Sequence, residues 1–491
     1  MLKLYKIYFL TVLFMGMIFT AVLPPLSAPD EVLHFVGAYE LSNKLMLKPS
    51  RDTDGNVIIR KEDEYIVNWP GDNDWNKATV FGQTLDSSVY KEIQAYGFFG
   101  VREEGESITL QQPVATTPLA YLTPALGITL ARLLHLSAFG LLFLGRFMNL
   151  LFFSVLGALS VKRTPVGKKV FFAVSLFPMT LEITGSYSYD SYIIALSFYL
   201  TAVILDHAIG SEYRTITLRD IAEMGILAVL LSPCKMIYAT LFALCLMIPI
   251  KKWKKPSLMR WGTTVLVIGA LIIGSIVLVN LHEVLRYVNA SGVTQAPELT
   301  SSGEVNTVKL HDLSELIRDK TLVFRIIRNT IQILGTQYLG TTVGMWLGAF
   351  DRGLSTPTPF LFIFWIGAIL TGAYDHEEPV PEIWKRLIMA GTVVFLTFIL
   401  PTSMLLSYTP ADTFYILGIQ GRYFLPYLPV LLLCFRSKWI KSLIEKLNAI
   451  SGKGLSQNLT AAIPKLFLLL EIVMDGIVLA GCYHTVVSRL I

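Results

Sequence analysis

The chain is poor in charge and nearly devoid of cysteine. Only 16% of its 491 residues are charged, against 53% that are hydrophobic. So little polar surface excludes an ordinary soluble domain and predicts a polytopic helical membrane protein. The four cysteines, Cys234, Cys245, Cys434 and Cys482, all lie in apolar segments without paired spacing. That excludes a disulfide framework and a zinc site. No Ala-x-Ala-type cleavage site follows the first apolar run, so the N-terminus reads as an uncleaved signal anchor. No internal repeat and no low-complexity segment is present. The net charge of +5 is spread over short loops between apolar runs. That pattern argues against nucleic acid as a partner and for a bilayer.

The apolar runs predict about 11 (10–13) transmembrane helices in an all-α bundle. Residues 1–24 hold the first span, whose start Lys3 and Lys6 put in the cytoplasm. Residues 25–118 form a large extracytoplasmic loop with an acidic motif and amphipathic helices. Between positions 25 and 116 fifteen Asp/Glu face eight Lys/Arg, which suits the outer side. Residues 119–281 are a transmembrane bundle. Within it the 119–134 run carries Pro124 and Gly127 and reads as a re-entrant or surface helix. Residues 282–356 are a second outer loop with a membrane-embedded segment, and 357–491 are the C-terminal spans.

This topology brings the unusual polar residues to the outer face. After the first span three prolines end the helix in Pro24-Pro25-Leu26-Ser27-Ala28-Pro29, and Asp30, Glu31 and His34 follow. Glu31 and His34 share a helix face. The two acids read equally as caps of the next helix or, with His34, as a catalytic base at the membrane surface. Asp190 closes the turn Ser186-Tyr187-Ser188-Tyr189-Asp190. Lys235 separates two short apolar segments, where it either pairs with Asp190 or touches a phosphate. Tyr187, Tyr189 and Tyr238 read as an interfacial aromatic belt or as the lining of a sugar site. In Gln420-Gly421-Arg422-Tyr423 the guanidinium either snorkels to lipid headgroups or binds a lipid phosphate. Arg146, in the middle of an apolar run, needs a partner that the sequence does not name. Trp346 and Asp351 read as cavity or interface residues. Asp375-His376-Glu377-Glu378 reads as a solvated cytoplasmic loop.

The layout is similar to the GT-C superfamily of integral-membrane glycosyltransferases. Pro29-Asp30-Glu31-x-x-His34 resembles the Asp-Glu motif of the aminoarabinose and protein-mannosyl transferase branches. Gln112-Pro113 through Pro118-Leu119-Ala120-Tyr121 resembles their loop-to-helix segment, and Leu144 to Asn149 their Arg-containing span. With Ser188-Tyr189-Asp190 and Gln420 to Tyr423, the set looks most like a family of bacterial polytopic membrane proteins placed near those enzymes. The resemblance implies a sugar donor on polyprenyl phosphate, and an envelope glycan, teichoic-acid-like polymer or lipid as acceptor. It implies catalysis by Asp30 or Glu31 on the extracytoplasmic face of the cell membrane. His34, Tyr189, Asp190, Lys235, Tyr238, Gln420, Arg422 and Tyr423 would contact substrate, with Arg422 on the lipid phosphate. Some branches use a divalent cation, Mg or Mn, which Asp30, Glu31 and His34 would hold here. His34 stands where several branches carry arginine. The competing expectations are a transporter or flippase of lipid-linked sugars, and a polysaccharide polymerase or ligase.

Overall fold

A computed structural model describes residues 3–67, 79–80, 83–84, 88–114, 116–279, 295–299, 305–311, 313–348, 354–375, 377–440, 442, 446 and 455–488. Asp351 and His376 lie outside these residues. Among the described residues six helices are long and apolar enough to cross a membrane. They are α1 (Leu4–Val22), α6 (Ala138–Arg163), α9 (Asp190–Ile209), α11 (Ser257–Val279), the Ile383–Ser407 helix and the Ala462–Val487 stretch of the last helix. Three shorter apolar helices, Met236–Met247, Thr358–Ala373 and Gly421–Cys434, join them. The apolar run from 170 to 183 is not one helix. Pro178 splits it into α7 (Lys168–Ser175) and α8 (Pro178–Thr184), because proline starts a helix well and continues one badly.

Helices dominate, but the first polar region is not purely helical. Strand β1 (Val57–Arg60) pairs antiparallel with β2 (Glu106–Thr109), closing the second half of that region. Residues 79–80 pair with 83–84, and 295–299 with 305–309.

α9 is the axis of the bundle: 83% of its apolar window is buried. α6 and α8 pack on it, and α1 packs on α6 and α8. α5 (Leu122–Leu133) has 12 residues, roughly 18 Å, too short to cross hydrocarbon. It runs back along the first half of α6, where Gly127 meets the backbone of Gly145 and Thr123 meets Asn149. Helix α2 (Glu31–Leu45) packs on α5 and β1, forming a layer over one end of the bundle.

The opposite end is rich in cations. Arg163 and Arg214 bind Asp206 at the end of α9, and Lys252 donates to the His207 carbonyl. In the 375–378 segment Glu377 is solvated, as expected, but Asp375 and Glu378 are buried. Asp375 is buried against Lys169 at 2.8 Å. Glu378 is buried on the Arg436 guanidinium and on the Gly167 and Lys168 amides at the start of α7, where a carboxylate is favoured.

Candidate functional site

The link between α1 and α2 is built around prolines. Ser27 Oγ donates to the Pro24 carbonyl at 2.6 Å. Asp30 then takes a left-handed conformation, φ 59°, which asparagine and aspartate tolerate better than most residues. It stands at the N-cap of α2, yet its side chain makes no capping bond. Its carboxylate instead meets Arg422 Nη2 at 3.0 Å. The capping reading of Asp30 therefore fails.

Glu31 points the other way. One oxygen accepts from the Ala28 amide and the other from the Tyr187 amide, both at 3.0 Å. Its side chain is 0% exposed, against 43% for Asp30. Arg146 Nε lies 3.6 Å from Glu31 and donates to the Gly185 carbonyl at 2.7 Å. Its other nitrogens donate to the Thr20 and Leu23 carbonyls at the end of α1. A cation suits such helix C-termini. Burial pushes the Glu31 carboxyl up, and Arg146 and the amides pull it back. Asn149 holds the Ser186 and Ser188 carbonyls from the same face of α6. Glu31, Arg146 and Asn149 thus lock the turn that delivers Asp190.

Asp190 opens α9 and is buried. Its oxygens meet Arg422 Nε at 2.9 Å and Lys235 Nζ at 3.5 Å. Arg422 is 3% exposed, and its remaining nitrogen donates to the Pro29 carbonyl at 3.3 Å. Its guanidinium ties the late turn to Asp30 and the Pro29 carbonyl by hydrogen bonds and to Asp190 by an ion pair. Lys235 is 20% exposed, and its one ion pair among the described residues is the long one to Asp190. Its ammonium stands 3.5 Å from the Tyr423 ring centroid, with Tyr189 and Tyr238 at 5.6 and 5.9 Å, a cation–π cage. The Tyr238 hydroxyl donates to the Tyr423 carbonyl at 2.8 Å, fixing that ring's backbone.

Gly421 is required by close approach. A Cβ there would lie 2.1 Å from the Thr342 amide nitrogen and 2.3 Å from the Thr341 carbonyl carbon. Gly421→Ala should cost roughly 1–3 kcal/mol by forcing backbone apart, read as a lowered unfolding midpoint in detergent. Gln420 has a buried Oε1 without a hydrogen-bond partner among the described residues, beside a small cavity that Arg422 and Pro29 also line.

His34 Nδ1 pairs with the Tyr121 hydroxyl at 2.9 Å, and its ring meets Tyr189 edge-on. Burial, then the Arg422 charge, lowers its pKa to about 4, so the ring is neutral at pH 7. The unfolded chain binds a proton near pH 6.5 that the folded chain refuses. Stability should therefore rise with pH between about 4 and 6.5, by about 3 kcal/mol from this group. His34→Gln should flatten that part of a pH series of chemical unfolding.

The three residues named as metal ligands do not converge. Glu31 faces inward onto amides, His34 Nδ1 is on Tyr121, and Asp30 is on Arg422. Among the described residues the one grouping with metal-like spacing is His207, Asp220 and Glu223, at the opposite end. Arg163 and Arg214 already supply the positive charge there.

All ten candidate residues thus gather at one end of the bundle. Asp30 is exposed, and Tyr189, Lys235, Gln420 and Tyr423 are partly buried. Glu31, His34, Asp190, Tyr238 and Arg422 are buried. The sequence reading missed Glu182, buried on the Gly348 amide at 2.5 Å beneath the site. It also missed Glu471 and Asp475, buried one turn apart in the last helix without hydrogen-bond partners among the described residues. Acids inside apolar runs were the signal for all three.

Fold and site together define a polytopic helical membrane protein with a charged, aromatic-lined cluster at one end. The chain matches the family described as "Predicted membrane protein (DUF2142)" over residues 13–431, and it belongs to that family. No curated protein matches it.

Proposed function

We propose that the protein is a glycosyltransferase that uses a polyprenyl-phosphate-linked sugar. The observation that carries this reading is a partly exposed carboxylate, Asp30, linked through the Arg422–Asp190 ion pair to Lys235, whose ammonium has no hydrogen-bond partner among the described residues. Asp30 takes the proton of an acceptor hydroxyl. The hydroxyl oxygen bonds to the anomeric carbon, and the bond from that carbon to the phosphate oxygen breaks. The electron pair leaves with the lipid phosphate, whose charge Lys235 balances. Arg422 acts here as a positioning residue, since its donors already hold Asp30, Asp190 and Pro29. The similarity to GT-C enzymes in the early acidic motif supports the same chemistry. The cation-rich opposite end supports an extracytoplasmic site, because cytoplasmic loops carry the excess of lysine and arginine. The envelope glycan or lipid acceptor would approach from that side.

The test is to incubate purified protein with polyprenyl-phosphate sugars, with and without a chelator, and follow release of the lipid phosphate. Release that a chelator does not change is expected, because no step uses a cation. Lys235→Met should raise KM for the donor roughly 10–100-fold, the worth of one charge-assisted bond to phosphate. No release from any donor in the panel would defeat the reading.

A second reading draws on Glu471 and Asp475, since buried acids within a span mark ion paths by default. It makes the protein a transporter of lipid-linked sugar, which would move the donor across proteoliposomes without consuming it.

A further inference from the structure

Next to the charged cluster, α2 and the 112–118 segment enclose a cavity of about 450 Å³, within the ~300–1,000 Å³ common for small-molecule sites. One wall is Gly37, Glu40, Leu41 and Lys44, on the α2 face that His34 begins. Arg51 closes the cavity. It donates to both Glu40 oxygens, at 3.1 and 2.8 Å, and to the Gln112 side-chain oxygen at 3.3 Å.

Each wall leads to one half of the site. Tyr121 lies against Gly37, where a Cβ would be 2.6 Å from its ring, and its hydroxyl meets His34. That wall runs on to Asp30. On the other side Thr116 Oγ1 donates to the Cys234 carbonyl at 3.3 Å, one residue before Lys235.

We propose that this cavity holds the acceptor and that the acceptor is an oligosaccharide, a proposal that rests on the glycosyl-transfer reading above. Glu40 accepts from Arg51 and Lys44, and Arg51 also donates to Gln112 and to the Gly55 carbonyl, so sugar hydroxyls entering the cavity would share an existing network of planar polar groups. Leu41, Pro113 and Val114 offer apolar surface to the C–H faces of sugar rings. Gly37 is two helical turns from Asp30, about 10 Å. A single sugar or a lipid hydroxyl seated in the cavity does not bridge that distance, whereas a short chain of sugars does. The non-reducing end then reaches Asp30 while inner units stay in the cavity.

Lys44→Trp and Gln112→Trp fill the cavity from exposed positions outside the charged cluster. The probe is a fluorescently labelled oligosaccharide pool released from host envelope by partial hydrolysis. Equilibrium dialysis against the full-length purified protein should show retention, weakened at least tenfold in both variants. KM for the same pool in transfer should rise at least tenfold. Failure of wild type to retain the pool, or equal retention by both variants, would overturn the proposal. Loss of lipid-phosphate release in wild type would instead mark failure of the transfer reading itself.

Discussion

Arg146→Ala is expected to destabilise the protein by roughly 3–5 kcal/mol, the usual consequence of leaving one member of a buried pair alone. Three features set the size. Glu31 is fully buried, and Arg146 is the cation beside it. The Gly185, Thr20 and Leu23 carbonyls lose their donor at two helix ends. The Tyr187 amide and the turn that follows are then held by a carboxylate without its counter-charge. A lowered midpoint of thermal unfolding in detergent checks this. Combining Arg146→Leu with Glu31→Gln should recover part of the loss, because the uncompensated charge is gone and one of the two amides keeps an oxygen acceptor. The two residues should therefore couple in a double-mutant cycle, as neighbours do.

Asp30→Asn should lower sugar transfer about 10²–10⁴-fold with little change in stability. Asparagine accepts the left-handed conformation and still offers an oxygen to Arg422. What it lacks is a group that takes a proton. Alanine is the weaker test, since it strains the backbone and frees Arg422 at once. The rate of lipid-phosphate release, normalised to folded protein, gives the answer. A drop in transfer with an unchanged melting curve assigns the loss to chemistry.

Part of this was legible in the sequence. Acids after a proline block, a lysine between short apolar segments and a Gly-Arg pair at the lip of a span each cost free energy without partners. Their convergence at one end follows from alternating the spans. Gly421 before Arg422 also had a readable cause, since only glycine lets that turn approach the Lys320–Val343 helix so closely. The division of labour between Asp30 and Glu31 was not legible. Helical spacing groups Glu31 with His34, but the direction of Glu31 is set by the Tyr187 amide and by Arg146, more than 100 residues away in the chain. Arg422 shows the same limit: its type suggested phosphate binding, while in the fold its guanidinium pairs with Asp30 and Asp190. The expected 11 spans were counted from apolar runs, and such runs do not reveal that Pro178 breaks one helix or that Met236–Met247 winds as a 3₁₀ helix.

Everything functional here rests on one division: Asp30 acts, and Glu31 anchors. The direct measurement compares Asp30→Asn with Glu31→Gln in lipid-phosphate release per folded molecule, alongside their unfolding midpoints. The expected result is a stable, inactive Asp30 variant and a destabilised Glu31 variant whose folded fraction still turns over. A fully active Asp30→Asn protein beside a stable but inactive Glu31→Gln protein would contradict it.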